Sequence, residues 1–243
     1  MMGGVRFTSN VLKIVKTKLA RKLFPSTAAH FSLKQVLQKN YPPGSPFVFI
    51  QVGANDGVSN DFLFDFLKER KPSGIAIEPL RDVYERLVAN YAALPQVLPV
   101  NKAVHAEQKK VRLYRVDPSR LNGLPAWASG IGSLDPAHHK RSGTATEHII
   151  SEEAEADHLM RILETHPLSA PADLLQIDVE GYDLEVLKQV NFNRLHPKII
   201  RMEYINLPPD GVKEAIRMMK AHGYYCFYDD LDVIAVDLKR IRL

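Results

Sequence analysis

Three stretches hold the residue types that could do chemistry. Val52-Gly53-Ala54-Asn55-Asp56-Gly57 is a glycine-bracketed turn that follows an apolar run, and such a turn offers backbone N–H groups to a polar ligand. Glu78 closes a second apolar run, about 20 residues past the turn, the separation at which a carboxylate meets the hydroxyls of an adenosine ribose. Asp178 and Glu180, in Ile177-Asp178-Val179-Glu180-Gly181, and Glu203, after Met202, also close apolar runs. Carboxylates crowded at strand ends raise one another's pKa, which suits one of them to take a proton from a hydroxyl. Each stretch has a plainer alternative. The glycines can serve only a strand-to-helix turn, Glu78 can be a solvated charge, and Glu180 can satisfy N–H groups at a helix start.

The turn lacks the G-x-G-x-x-G spacing with which backbone approaches a pyrophosphate, and it adds Asp56. An acid there accommodates an amino group or a sulfonium, so S-adenosylmethionine fits better than NAD. Asn101 is placed to bond the adenine or carboxylate of such a ligand, with turn capping as the competing role.

The elements that must position these residues read as a doubly wound, mostly parallel α/β sheet. Pro46 opens a run, Phe47 to Val52, that is apolar on both faces, as a central parallel strand is. Phe62, Leu63, Phe66 and Leu67 then take helical spacing, with Ser59 or Asn60 as N-cap. Gly74 to Pro79 is the second strand, Val83 to Tyr91 a helix, and Val97 to Val104 a third strand, which Pro99 marks as an edge. Val111 to Val116 alternates as an extra strand, and Glu147 to Thr165 reads as strand then helix. Ala172 to Ile177 and Lys198 to Tyr204 are further strands with a helix between them. A helix ending at Gly223 and an antiparallel closing pair, Tyr224 to Tyr228 and Asp232 to Leu238, follow.

Between Asp117 and Thr146 periodicity dissolves into Gly, Pro, Ser and His around Trp127, and a loop this long reads as a substrate-covering insertion over 117–146. His138 and His139, adjacent in a polar loop, read as solvent-exposed rather than as metal ligands.

The 243 residues carry 45% hydrophobic content, enough for one sizeable core. Residues 1–45 read as a basic amphipathic helical leader and 46–243 as the domain. Val11 to Phe24 places Lys13, Lys16, Lys18, Arg21 and Lys22 opposite an apolar face, a pattern that suits packing on the protein's own domain or contact with an anionic membrane surface. The net charge of +4 gives little support to nucleic acid as a partner. Cys226 is the only cysteine, which excludes an internal disulfide or thiolate zinc cluster and points to a reducing, cytoplasmic setting.

The turn at Val52–Gly57 and the Ile177–Gly181 segment together resemble those of FkbM-type methyltransferases, of the class I S-adenosylmethionine-dependent superfamily. The resemblance covers approximately Phe47 to Leu238. It implies a seven-stranded sheet ending in an antiparallel strand, with Gly53, Asn55, Asp56 and Gly57 along the methionine and ribose part of the cofactor. Glu78 would take the ribose hydroxyls, and Asp178 and Glu180 would lie near the transferable methyl. The implied activity is O-methylation of a hydroxylated small-molecule acceptor: a saccharide, lipid or other natural product. Gln51 stands where the family usually has an acid, and Gln176 where it usually has a lysine. Gln51 can still bond the turn and is counted with the cofactor-binding residues.

Asp178, Glu180 and Glu203 are then the candidate catalytic carboxylates. A divalent metal held by two or three of them is the less favoured alternative, and no metal ligand is assigned. A catalytically silent nucleoside-binding module of the same fold, and an NAD-binding Rossmann enzyme, remain the rival readings.

Overall fold

The computed structural model describes residues 32–59, 62–121, 124 and 126–243. The expected helix over Val11 to Phe24, and Asn60 as a cap, lie outside the described residues. So does the side chain of Trp127.

Ser32 opens the first described helix, α1 (Leu33–Asn40), with a reciprocal capping box to Gln35. Leu33, Val36 and Leu37 are buried against the domain core. Next come β1 (Pro46–Val52), α2 (Leu63–Lys68), β2 (Lys71–Ile77), α3 (Arg81–Asn90) and β3 (Val97–Val100). After an intervening region the main chain path resumes with β8 (Leu174–Ile177), α6 (Asp183–Lys188), β9 (Ile199–Glu203), α7 (Pro209–Ala221), β10 (Tyr225–Asp229) and β11 (Asp232–Val236).

The main sheet has seven strands in the order β10-β11-β9-β8-β1-β2-β3. It is mixed: β1 pairs in parallel with β2 and β8, whereas β11 runs antiparallel to both β9 and β10. The closing hairpin therefore folds its last strand inward, and β10 takes the edge. Alternate residues of β1 feed two cores. Phe47 and Phe49 pack with α1, α2 and Tyr91 on one face, while Ile50 and Val52 pack with α6 and α7 on the other. That division is why the strand reads as apolar throughout.

Two expectations are corrected. The helix after the glycine turn starts at Leu63 behind Phe62 and has no side-chain cap, because Ser59 is turned back to Asp56, its hydroxyl donating to Oδ2 at 2.6 Å. The run Val97 to Val104 is two strands in two sheets. At Asn101 the side-chain amide donates to the carbonyls of Glu78 and Pro79, and the chain leaves the main sheet. β4 (Ala103–Val104) pairs instead with β7 (Ile149–Asp157). With β5 (Lys110–Val116) and β6 (Gly132–Ser133) these form a four-stranded sheet, β4-β7-β5-β6. A short helix, α4 (His139–Ser142), lies between β6 and β7, and α5 (Leu159–Thr165) returns the chain to the main sheet. Among the described residues no helix is long and apolar enough to cross a membrane.

Candidate functional site

Parallel register puts the candidate residues in one row. Val52 pairs with Ile77 and with Ile177, Ile177 with Met202, and Ile77 with Val100. The next residue on each strand is Gly53, Glu78, Asp178, Glu203 and Asn101, so all five emerge together at the carboxyl edge, the ligand-binding edge of an open α/β sheet. The β1 and β8 tips touch. A Cβ on Gly53, whose φ is +79°, would sit 1.8 Å from the Asp178 carbonyl oxygen, so only glycine lets the two strand ends close up.

A cavity of about 390 Å³ opens at this edge, lined by Gln51, Gly53, Asn55 and Glu78 on one side and by Asp178, Glu180 and Glu203 on the other. Its size is that of a small-molecule site. Glu78 is 3% exposed. It accepts the Asn55 N–H on Oε2 and the Leu80 N–H on Oε1, each at 2.9 Å. Burial pushes its pKa up to about 7, against the pull of those two amides.

The acid wall is more strongly perturbed. Burial, then the charges of Glu180 and Asp183, hold the Asp178 carboxyl well above the usual range, with Arg201 opposing. Glu203 is raised by burial and then by Asp178 and Glu180. Asn206 donates from Nδ2 to Glu180 Oε2 and to Glu203 Oε2, both at 2.8 Å, and so ties the two carboxylates together. Asp183, fully buried, accepts the Val179 and Gly181 amides and clasps the acid loop; burial lifts it to about 6. One oxygen from each of Asp178, Glu180 and Glu203 lies within 4.8 Å of the others, a spacing that suits a shared proton, a bound cation or a positively charged ligand.

The 117–146 region contributes the outer wall through Gly130, Ile131, Gly132, Leu134, His138 and Arg141. At Gly130 a Cβ would fall 2.2 Å from the Asn55 side chain, so this segment lies directly on the glycine turn.

The family model described as the methyltransferase FkbM domain matches residues 51–226. The chain belongs to this family. No curated protein sequence matches it. Among solved structures, the FkbM methyltransferase of Methylobacillus flagellatus KT is 13% identical, with a TM-score of 0.46 over 88% of this chain and 46% of its own. This chain thus spans less than half of that protein. Aeropyrum pernix fibrillarin with natively bound S-adenosyl-L-methionine is 10% identical, TM-score 0.39, over 90% of this chain and 73% of its own. The Methanococcus jannaschii fibrillarin pre-rRNA processing protein is 12% identical, TM-score 0.39, over 80% and 66% respectively.

In this FkbM-family chain some candidate residues stand behind the cavity wall rather than in it. The Asp56 carboxylate is turned onto its own loop. Burial works against it, yet the Ser59 hydroxyl and the Ser59 and Val58 amides hold its pKa below the usual value. Gly57 is pressed against Tyr91 and Leu87, and Asn101 braces the end of β2, the capping role. Gln51 does line the cavity, but it is buried and its side-chain oxygen accepts the Tyr91 hydroxyl at 3.2 Å. Gln176 accepts from Arg201 at 3.3 Å. The two histidines are corrected: His138 and His139 are 6% and 8% exposed. His138 Nε2 lies 3.2 Å from Glu180 Oε2, and His139 Nε2 lies 3.1 Å from the Thr146 hydroxyl. Sequence reasoning missed His138, Asn206, Asp183 and Arg201 as members of the site. Only Asp183, two residues past the Asp-Val-Glu-Gly segment, carried a local signal.

Proposed function

We propose that the chain is an S-adenosylmethionine-dependent O-methyltransferase acting on a hydroxyl of a small saccharide, lipid or other natural product. The observation that supports this most is the register row: Glu78, Gly53, Asp178 and Glu203 side by side at one cavity, with acids whose pKa values burial and crowding have raised. When bound, S-adenosylmethionine supplies an activated methyl group and a positive charge that matches the acid wall. Glu78, fixed by two amides, has lone pairs left for ribose hydroxyls. The covering segment excludes water, and the cavity walls hold the acceptor oxygen in line, which is most of what methyl transfer asks of a protein. Removal of the acceptor's proton falls to the Asp178, Glu180 and Glu203 group, in which burial and crowding raise Asp178 and Glu203 and make them better bases.

The Asp178, Glu180 and Glu203 spacing would also serve a divalent cation, and a chelator arm addresses that variant. Gln51, neutral and bonded to Tyr91, is the feature that favours a silent binding module. Calorimetric titration with S-adenosylmethionine and separately with NAD divides the readings. Heat with the first alone agrees with the proposal, heat with NAD indicates a dehydrogenase, and heat with neither leaves the silent module. A screen of hydroxylated sugars and lipids with methyl-labelled cofactor, with and without EDTA, then identifies the acceptor and any metal requirement.

A further inference from the structure

Three side chains of the covering segment end on the acid loop or on Asn206 beside it. Ser133 Oγ donates to the Glu180 carbonyl at 2.9 Å. Arg141 Nη1 donates to the Asn206 carbonyl at 2.9 Å, and Asn206 is the residue that ties Glu180 to Glu203. His138, between them in sequence, brings Nε2 to 3.2 Å from Glu180 Oε2, while its Nδ1 is buried without a hydrogen-bond partner among the described residues.

Burying an imidazole with one unanswered nitrogen is unfavourable. A segment that merely excluded water would do better with an apolar side chain at this position. Glu180 is also a residue that needs holding. Its φ of +54° is a left-handed conformation that side chains other than glycine adopt at a cost, and Gly181 follows at +106°. Such a conformation persists where the surroundings enforce it, and here the enforcing contacts come in large part from the covering segment.

We propose that His138 is a positioning residue for Glu180, and that the contacts of residues 133–141 with the acid loop complete the base. Through His138 on the carboxylate, Ser133 on the backbone and Arg141 on Asn206, the segment sets Glu180 beside Glu203. The same segment meets the cofactor side of the cavity where Gly130 lies on Asn55, so the residues that cover the cavity also hold the base. The proton-transfer meaning of this arrangement rests on the methyl-transfer reading. The fastening of Glu180 by His138 does not.

The test uses the full chain and two probes that need no acceptor: amide hydrogen exchange over residues 132–141, and carbodiimide–glycinamide labelling of Glu180 followed by peptide mass spectrometry. His138→Ala is expected to raise both the exchange and the labelling rate about tenfold, the consequence of losing a buried contact to a charged group. Glu180→Ala should raise exchange similarly, and the double variant should add nothing beyond either single change. His138→Gln, whose amide nitrogen can take the place of Nε2, should return both rates to within about threefold of the wild type. Should His138→Ala not fold, Ser133→Ala and His138→Gln still decide: the first should loosen the segment about threefold and the second should not. Wild-type rates in His138→Ala, additive effects in the double variant, a His138→Gln protein as loose as the alanine one, or unchanged exchange in Ser133→Ala would each overturn the proposal. Failure of the wild type to bind S-adenosylmethionine in calorimetry would remove the methyl-transfer reading alone, and the exchange data would still decide the fastening.

Discussion

Strand β8 has a carboxylate at each end, and the two live in opposite company. Asp173, at the amino end, is 5% exposed, yet it is answered on all sides. The Tyr41 hydroxyl donates to Oδ1 at 3.1 Å, the Val48 N–H to Oδ2 at 2.8 Å, and Lys198 Nζ lies 2.7 Å away. Asp178, at the carboxyl end, faces Glu180 and Glu203. The cation nearest in effect, Arg201, is itself engaged with Asp232 at 2.9 Å. An acid at a strand end is therefore no sign of a site by itself. What separates a structural carboxylate from a reactive one is whether the fold supplies the balancing charge or leaves it to a ligand.

Four measurements distinguish the two edges. The largest effect belongs to the carboxyl edge: Glu180→Gln should lower turnover about 10²–10⁴-fold, the usual worth of a general base, with little change in cofactor affinity. Loss of affinity with turnover preserved would mean that Glu180 holds the cofactor instead. At the amino edge, Asp173→Ala should destabilise the fold by about 2–4 kcal/mol in urea denaturation; a stability change near zero would make the Lys198 pair ornamental.

Next is the pH response of Glu78. Its pKa in the fold, about 7, exceeds the ordinary 4.5, so the fold favours the protonated form. The stabilisation is fully present below about pH 4.5 and is lost as pH rises through about 7, a change of about 3 kcal/mol. Denaturation at pH 4.5 and 8 should show a loss in the wild type that Glu78→Gln reduces by that amount, the remainder belonging to Asp178, Asp183 and Glu203, which burial also raises. The smallest effect is for Asp178→Asn, which removes one of the crowded charges and should stabilise the protein by about 1 kcal/mol at pH 8. Destabilisation there would show that Asp178 is as well compensated as Asp173.

The candidate row was legible in the sequence because a buried parallel strand announces its own end. Where the apolar run stops at Val52, Ile77, Ile177 and Met202, the next residue must face the carboxyl edge, and in-register pairing aligns those residues. What stayed hidden depends on contacts far apart in the chain. His138 looked exposed because its neighbours in sequence are polar, and its burial follows from Glu180, which only the fold brings to it. The break between β3 and β4 comes from Asn101 reaching back to the β2 loop. The Asp56 role was readable in retrospect, since Asp56-Gly57-Val58-Ser59 has the spacing of a side chain that bonds amides two and three residues on.

The proposed function puts the cofactor at the carboxyl edge, with Glu78 as its ribose acceptor. Calorimetric titration of the wild type and of Glu78→Ala with S-adenosylmethionine tests it most directly. Saturable binding to the wild type, weakened at least about tenfold in the variant by loss of a buried hydrogen-bond acceptor, is the predicted result. No binding to either protein, or equal binding to both, would contradict it.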